Sequence, residues 1–162
     1  MRASPLLWLL VAAAQSGCLA GEGETCSTDA DCAEDGECTR TGECVPDGAA
    51  LRVVVRWTVN GQAPAPGQPE VCAGIGELEV RFLDPGEEAE TYRPVPCSLG
   101  QVVYDKMPPR FESVEVVAHD ADGREVDSVV VPLSPSGETT VDVDLVPASS
   151  AMTARRPEAG PA

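Results

Sequence analysis

The stretch Leu51-Arg52-Val53-Val54-Val55-Arg56-Trp57-Thr58-Val59 decides the fold of this chain. Leu51, Val53, Val55, Trp57 and Val59 alternate with Arg52, Val54, Arg56 and Thr58, the two-residue period of a half-buried β-strand. Asn60-Gly61 turns the chain, and a loop carrying Pro64, Pro66 and Pro69 leads to Cys72. The same period returns downstream, with Leu78, Val80 and Phe82 on one face and Glu77, Glu79 and Arg81 on the other. Asp84-Pro85-Gly86 breaks that strand. Shorter extended pieces follow at Thr91–Cys97 and Gln101–Lys106, before Pro108-Pro109 forces a stop.

Further along, Val114, Val116 and Ala118 alternate within Ser113–His119, and Glu125–Val131 returns after Asp122-Gly123. An Asp-Gly pair suits a type I′ hairpin turn, whose two central residues both need positive φ. Beyond the Ser134-Pro135-Ser136-Gly137 break, Val141, Val143 and Leu145 alternate with Asp142 and Asp144. No segment keeps helical spacing for more than about a turn. The expectation is a mostly β protein whose residues 51–146 form a seven-stranded antiparallel β-sandwich.

Upstream the composition changes. Residues 26–45 place Cys26, Cys32, Cys38 and Cys44 six apart among Asp, Glu, Gly, Thr and Ala. Such a stretch has almost nothing to bury and stays disordered unless it is closed covalently. Two disulfides supply the closure, and four cysteines allow three pairings. A zinc site is the weaker idea, because C-x2-C spacing and a nearby histidine are both missing. Residues 45–50, Val-Pro-Asp-Gly-Ala-Ala, read as a linker. Cys72 and Cys97 remain as a third pair, whose bridge would tie one end of the sandwich together.

At the start stand Met1-Arg2, a nine-residue apolar run from Leu6 to Ala14, and Gln15-Ser16-Gly17-Cys18. A basic start, a short apolar run and small residues make a secretory signal. The run is far short of the ~20 residues that span a bilayer as a helix. Its end resembles the lipobox of bacterial lipoproteins. That resemblance implies a signal peptide over 1–17, acylation of Cys18, a polar tether over 18–25 and insertion in a membrane. Leu19 after the anchor, rather than Asp, implies outer-membrane sorting. Two other cuts leave a soluble periplasmic or secreted protein: after Ala14, with Cys18 an odd thiol, or after Ala20, with Cys18 removed. Acylation of Cys18 leaves six cysteines, an even set that pairs completely in an oxidising compartment.

The Asp31-Cys32 and Gly42-Glu43-Cys44 steps resemble the short cysteine-rich motif that follows the anchor in many bacterial surface lipoproteins. By analogy with small interleaved knots, Cys26 pairs with Cys38 and Cys32 with Cys44. The Leu51–Val59 strand and the Asp120–Gly123 hairpin resemble the immunoglobulin-like and transthyretin-like modules of bacterial surface proteins, including the carboxypeptidase regulatory type. Together these resemblances imply a cell-envelope protein whose partner is an envelope protein or a glycan.

The formal charge is −16, from 27 acidic and 11 basic residues. No basic stripe is present to neutralise phosphates, which argues against nucleic acid as a partner. Catalysis has little to work with. His119 is the single histidine, expected at an exposed strand end on the face opposite Val116 and Ala118. A G-x-S-x-G nucleophile elbow is missing, and the candidate thiols read as cystines. Asp120, Asp122, Glu125 and Asp127 crowd the hairpin, but their spacing does not fit a calcium loop and suits turn formation better. Trp57 and Phe82 read as core, so no aromatic platform for sugars stands out. Residues 147–162 are Pro-, Ala- and Arg-rich without periodicity and read as a disordered tail. The sequence alone therefore points to a non-enzymatic, lipid-anchored interaction protein without a cofactor. The alternative is a ligand-binding module for a glycan, a small molecule or Ca²⁺.

Overall fold

A computed structural model describes residues 25–86, 90–135 and 137–147. Among these residues nine strands follow one another: β1 (Gly36–Cys38), β2 (Cys44–Pro46), β3 (Leu51–Val59), β4 (Glu77–Leu83), β5 (Glu90–Val95), β6 (Gln101–Met107), β7 (Ser113–His119), β8 (Glu125–Pro132) and β9 (Glu138–Leu145). Among the described residues the helical pieces are two single 3₁₀ turns, Asp29–Asp31 and Cys97–Leu99. The strands form three sheets, ordered β1-β2, β6-β3-β9 and β5-β4-β7-β8.

This corrects the seven-stranded antiparallel expectation in two ways. The extra strands are β1 and β2, a hairpin inside the cysteine-rich stretch with Cys38 opposite Cys44. Three-residue strands without apolar alternation carry no periodic signal, so they do not show in the sequence. The pairing of β3 with β9 is parallel, in register from Arg52 opposite Glu138 to Val59 opposite Leu145. Period-two alternation reports which face is buried and says nothing of strand direction. The linker is also shorter than expected, because β2 runs through Val45 to Pro46.

The two larger sheets share one core. Val53, Val55, Trp57 and Val59 from β3 meet Leu78, Val80 and Phe82 from β4, with Val114 and Val116 from β7 and Val141 and Leu145 from β9. Phe82 is its aromatic centre. Its ring meets Tyr104 edge-on at 5.0 Å, Tyr92 edge-on at 5.9 Å and Phe111 at 5.6 Å. Such contacts add about 0.5–1.5 kcal/mol each to the burial.

The Asp122-Gly123 turn also differs from expectation. Gly123 has φ 77°, but Asp122 is not left-handed, so the turn is not type I′. Instead the Gly123 amide donates to the Asp120 carbonyl at 3.0 Å, and the register shifts between Ala118 and His119. This is a longer loop closed by a left-handed glycine with a bulge. The Asp120 carboxylate fastens it by accepting the amides of Asp122 and Arg124 at 2.8 and 2.9 Å.

The cysteine-rich segment lies against the β6 side of the fold. The Arg40 amide donates to the Lys106 carbonyl at 2.7 Å, and Lys106 Nζ reaches Asp29 at 2.6 Å. Arg110 joins Glu43 at 2.5 Å and Asp84 at 3.1 Å. The Arg40 guanidinium sits over the rings of Tyr92 and Tyr104, 5.3 and 5.7 Å from their centroids. Ion pairs as exposed as these each contribute little, because water and salt screen them. The dock is therefore held by several weak contacts acting on a stapled segment.

Candidate functional site

The six described cysteines are all oxidised. Cys26 bridges Cys38, Cys32 bridges Cys44, and Cys72 bridges Cys97, with Cα separations of 5.8, 5.6 and 6.1 Å. These separations lie within the ordinary range for cystines. The sulfurs of Cys26, Cys32 and Cys44 fall within 4.8 Å of one another, a spacing a metal could use. Each is in a disulfide, so no thiolate is left to ligate one. Disulfides fit an extracellular or otherwise oxidising compartment. Cys18, the residue proposed to carry acyl chains, lies outside the described residues, as do the signal segment, most of the tether and most of the C-terminal tail. Among the described residues no helix is long and apolar enough to cross a membrane.

The surprise is His119. It was expected at an exposed strand end; the structure leaves it only 5% exposed. Its Nε2 lies 2.9 Å from a Glu79 carboxylate oxygen, and Glu79 is itself 5% exposed. Glu79 also takes Arg81 at 2.5 Å and Arg93 at 3.3 Å. Arg81 continues to Glu115 at 3.1 Å, and Arg93 to Glu77. The alternation set Glu77, Glu79, Arg81 and His119 on the face away from the core, as found. It could not show that β4, β5 and β7 gather them into one network that shields the imidazole from water. The His119 Nδ1 is buried without a hydrogen-bond partner. Among the described residues, the side-chain partner that holds this histidine is Glu79.

The network gives Glu79 a depressed pKa. The Arg81 hydrogen bond is the largest cause, with His119 helping and burial opposing. A carboxylate whose folded value lies below its ordinary 4.5 stabilises the fold above that pH. That contribution is lost as pH falls through the lower folded value. Urea unfolding followed from pH 6 downward is expected to show a falling midpoint below about 4.5, and Glu79→Gln is expected to flatten part of that slope. Part of it remains in the variant, because Asp29, Asp31 and Asp144 are depressed too, by Lys106, by the Ser27 and Thr28 amides and by Thr58 respectively.

The hairpin acids do not form a cation cage. Asp120 is used by the turn amides, Asp122 pairs with Arg124 at 3.3 Å, and Asp127 accepts the Val146 amide at 2.7 Å. Comparison with protein-family models, curated proteins and solved structures gives no match.

Proposed function

We propose that this chain is a lipid-anchored protein of the cell envelope, sorted to the outer membrane, which offers a stapled acidic motif and a β-sandwich as structural or interaction surfaces and performs no catalysis. One observation carries the reading. All six cysteines beyond residue 18 are consumed in three bridges, so Cys18 has no cystine partner left within the chain. An unpaired cysteine directly after small residues and a short apolar run is what an acylated first residue requires. Stable anchoring takes more than one acyl chain, since a single chain binds only marginally.

The acid excess suits a surface protein that must stay soluble and avoid self-association. For the sandwich, the strand order favours one half of the resemblance. Here the first of the seven strands, β3, shares a sheet with the fourth and seventh, β6 and β9. In immunoglobulin constant domains the first strand shares its sheet with the second, fifth and fourth. We therefore favour the transthyretin-like type over the immunoglobulin-like type.

Detergent phase partitioning tests the anchor. The native protein is expected in the detergent phase and the Cys18→Ser variant in the aqueous phase. A native protein found in the aqueous phase, or a variant that stays with detergent, contradicts the proposal.

A further inference from the structure

A cavity of about 540 Å³ opens on the outer face of the β6-β3-β9 sheet. One wall is Ala63 and Pro64, and another is the turn at Leu99-Gly100. Both walls are fixed before any ligand arrives. The Trp57 indole donates to the Cys97 carbonyl at 2.8 Å, and the Trp57 amide donates to the Gly100 carbonyl at 3.1 Å. Cys97 is bridged to Cys72. Gly100 has φ 67°, and a Cβ there would stand 2.8 Å from the Pro64 carbonyl oxygen, so the walls meet at a contact only glycine permits. At this rim Leu99 stays 53% exposed.

The floor is polar and only part of it is engaged: Thr58 donates to the Asp144 carboxylate at 2.6 Å, which also accepts the Gly61 amide at 2.8 Å. Arg56 lies opposite Gln101 on β6 and opposite Asp142 on β9, so three polar side chains form a row across the sheet. Among the described residues none of the three has a side-chain hydrogen bond or ion-pair partner. For Arg56 this is unusual in so acidic a chain. Arg52, Arg81, Arg93, Lys106, Arg110 and Arg124 each pair with a carboxylate, and Arg40 covers two tyrosine rings. Arg56 alone, among the described cations, engages neither an acid nor a ring. Neighbouring strands are ~4.8 Å apart, so a fork of donors and a carboxylate acceptor stand side by side beneath an apolar rim.

We propose that this cavity binds an α-carboxylate flanked by a nitrogen donor and an apolar side chain. That chemistry is shared by a free amino acid and by the C-terminal residue of a peptide. The guanidinium of Arg56 takes the carboxylate through two parallel hydrogen bonds. Asp142 and Gln101 receive the nitrogen donor, and Leu99 with Pro64 covers the side chain. Walls already in place reduce the ordering that binding would otherwise require. The inference goes beyond the envelope reading and does not depend on acylation of Cys18.

Calorimetric titration of the oxidised full-length protein with leucine, N-acetylleucine and leucinamide tests it. Leucine or N-acetylleucine is expected to saturate below ~10 mM, and leucinamide, which lacks the carboxylate, is expected to fail. Arg56→Met is expected to weaken binding about tenfold or more. Its melting temperature should hold, because Arg56 is exposed and unpaired. A free amino acid as the source predicts leucine tighter than N-acetylleucine and a loss on Asp142→Asn. A peptide C-terminus predicts the opposite order. The proposal is overturned by no saturation with any of the three, by leucinamide binding as well as leucine, or by an Arg56→Met variant that binds as the native protein does.

Discussion

Trp57→Ala is expected to destabilise the fold by about 3–5 kcal/mol, the range for removing a buried aromatic ring. Trp57 is 2% exposed and sits in the middle of the shared core. Two losses combine. The cavity left by the indole cannot close easily, since β3 is held on both sides, by β6 and by β9. The Cys97 carbonyl also loses the indole donor, 2.8 Å away, that joins the 3₁₀ turn to the sheet. Trp57→Phe separates the two effects. It restores much of the volume but not the donor, and should cost about 1–3 kcal/mol for the buried carbonyl left unpaired. Urea unfolding followed by far-ultraviolet circular dichroism reads both variants without relying on tryptophan emission. A loss under about 1.5 kcal/mol for Trp57→Ala would contradict the placement of this ring in the core.

Replacing Cys26, Cys32, Cys38 and Cys44 together by serine is expected to release residues 26–45 from the fold. Each bridge spans a sequence separation of 12. On the chain-entropy model a loop of that length contributes about 3 kcal/mol. The segment has little else. Cys38 and Thr39 are its buried residues, and its ties to the rest are mainly exposed or half-exposed ion pairs. Without the bridges, the ordering entropy of about 20 residues at roughly 1–2 kcal/mol each overwhelms those contacts. The measurement is limited trypsin digestion with hydrogen exchange. The expected result is rapid cleavage after Arg40 and loss of protection at its amide, which in the native protein donates to Lys106. The β3–β9 sheets should remain protected, since their own bridge joins Cys72 to Cys97. Collapse of those sheets as well would mean that the cover of Arg40 over Tyr92 and Tyr104 is integral to the core.

What the sequence revealed, and what it hid, follow from how far each signal reaches. Leu51–Val59, Leu78–Phe82, Val114–Ala118 and Val141–Leu145 announce themselves because each buries a single face, which forces alternation on the residues. The β-rich architecture and the cystine-rich segment were legible for that reason. The direction of β9 was not, because a parallel and an antiparallel partner place the same side chains on the same face. Nor was the Asp120–Gly123 loop, where the Asp120 carboxylate selects a longer turn than the Asp-Gly pair suggests. His119 shows the limit most clearly. Its partner Glu79 lies 40 positions away, and Glu79 in turn meets Arg93, brought alongside by β5. The cavity beneath Leu99 was equally hidden, because Arg56, Gln101 and Asp142 become neighbours only through strand register.

Three bridges take up the six described cysteines, and the proposal gives the seventh, Cys18, a lipid. Intact mass of the natively purified protein, before and after reduction and alkylation, tests this most directly. The expected result is a chain that begins at Cys18, carries acyl mass, and offers six alkylatable thiols only after reduction. A chain that begins at Gln15 or Gly21 without added lipid, or one that shows free thiols before reduction, would contradict it.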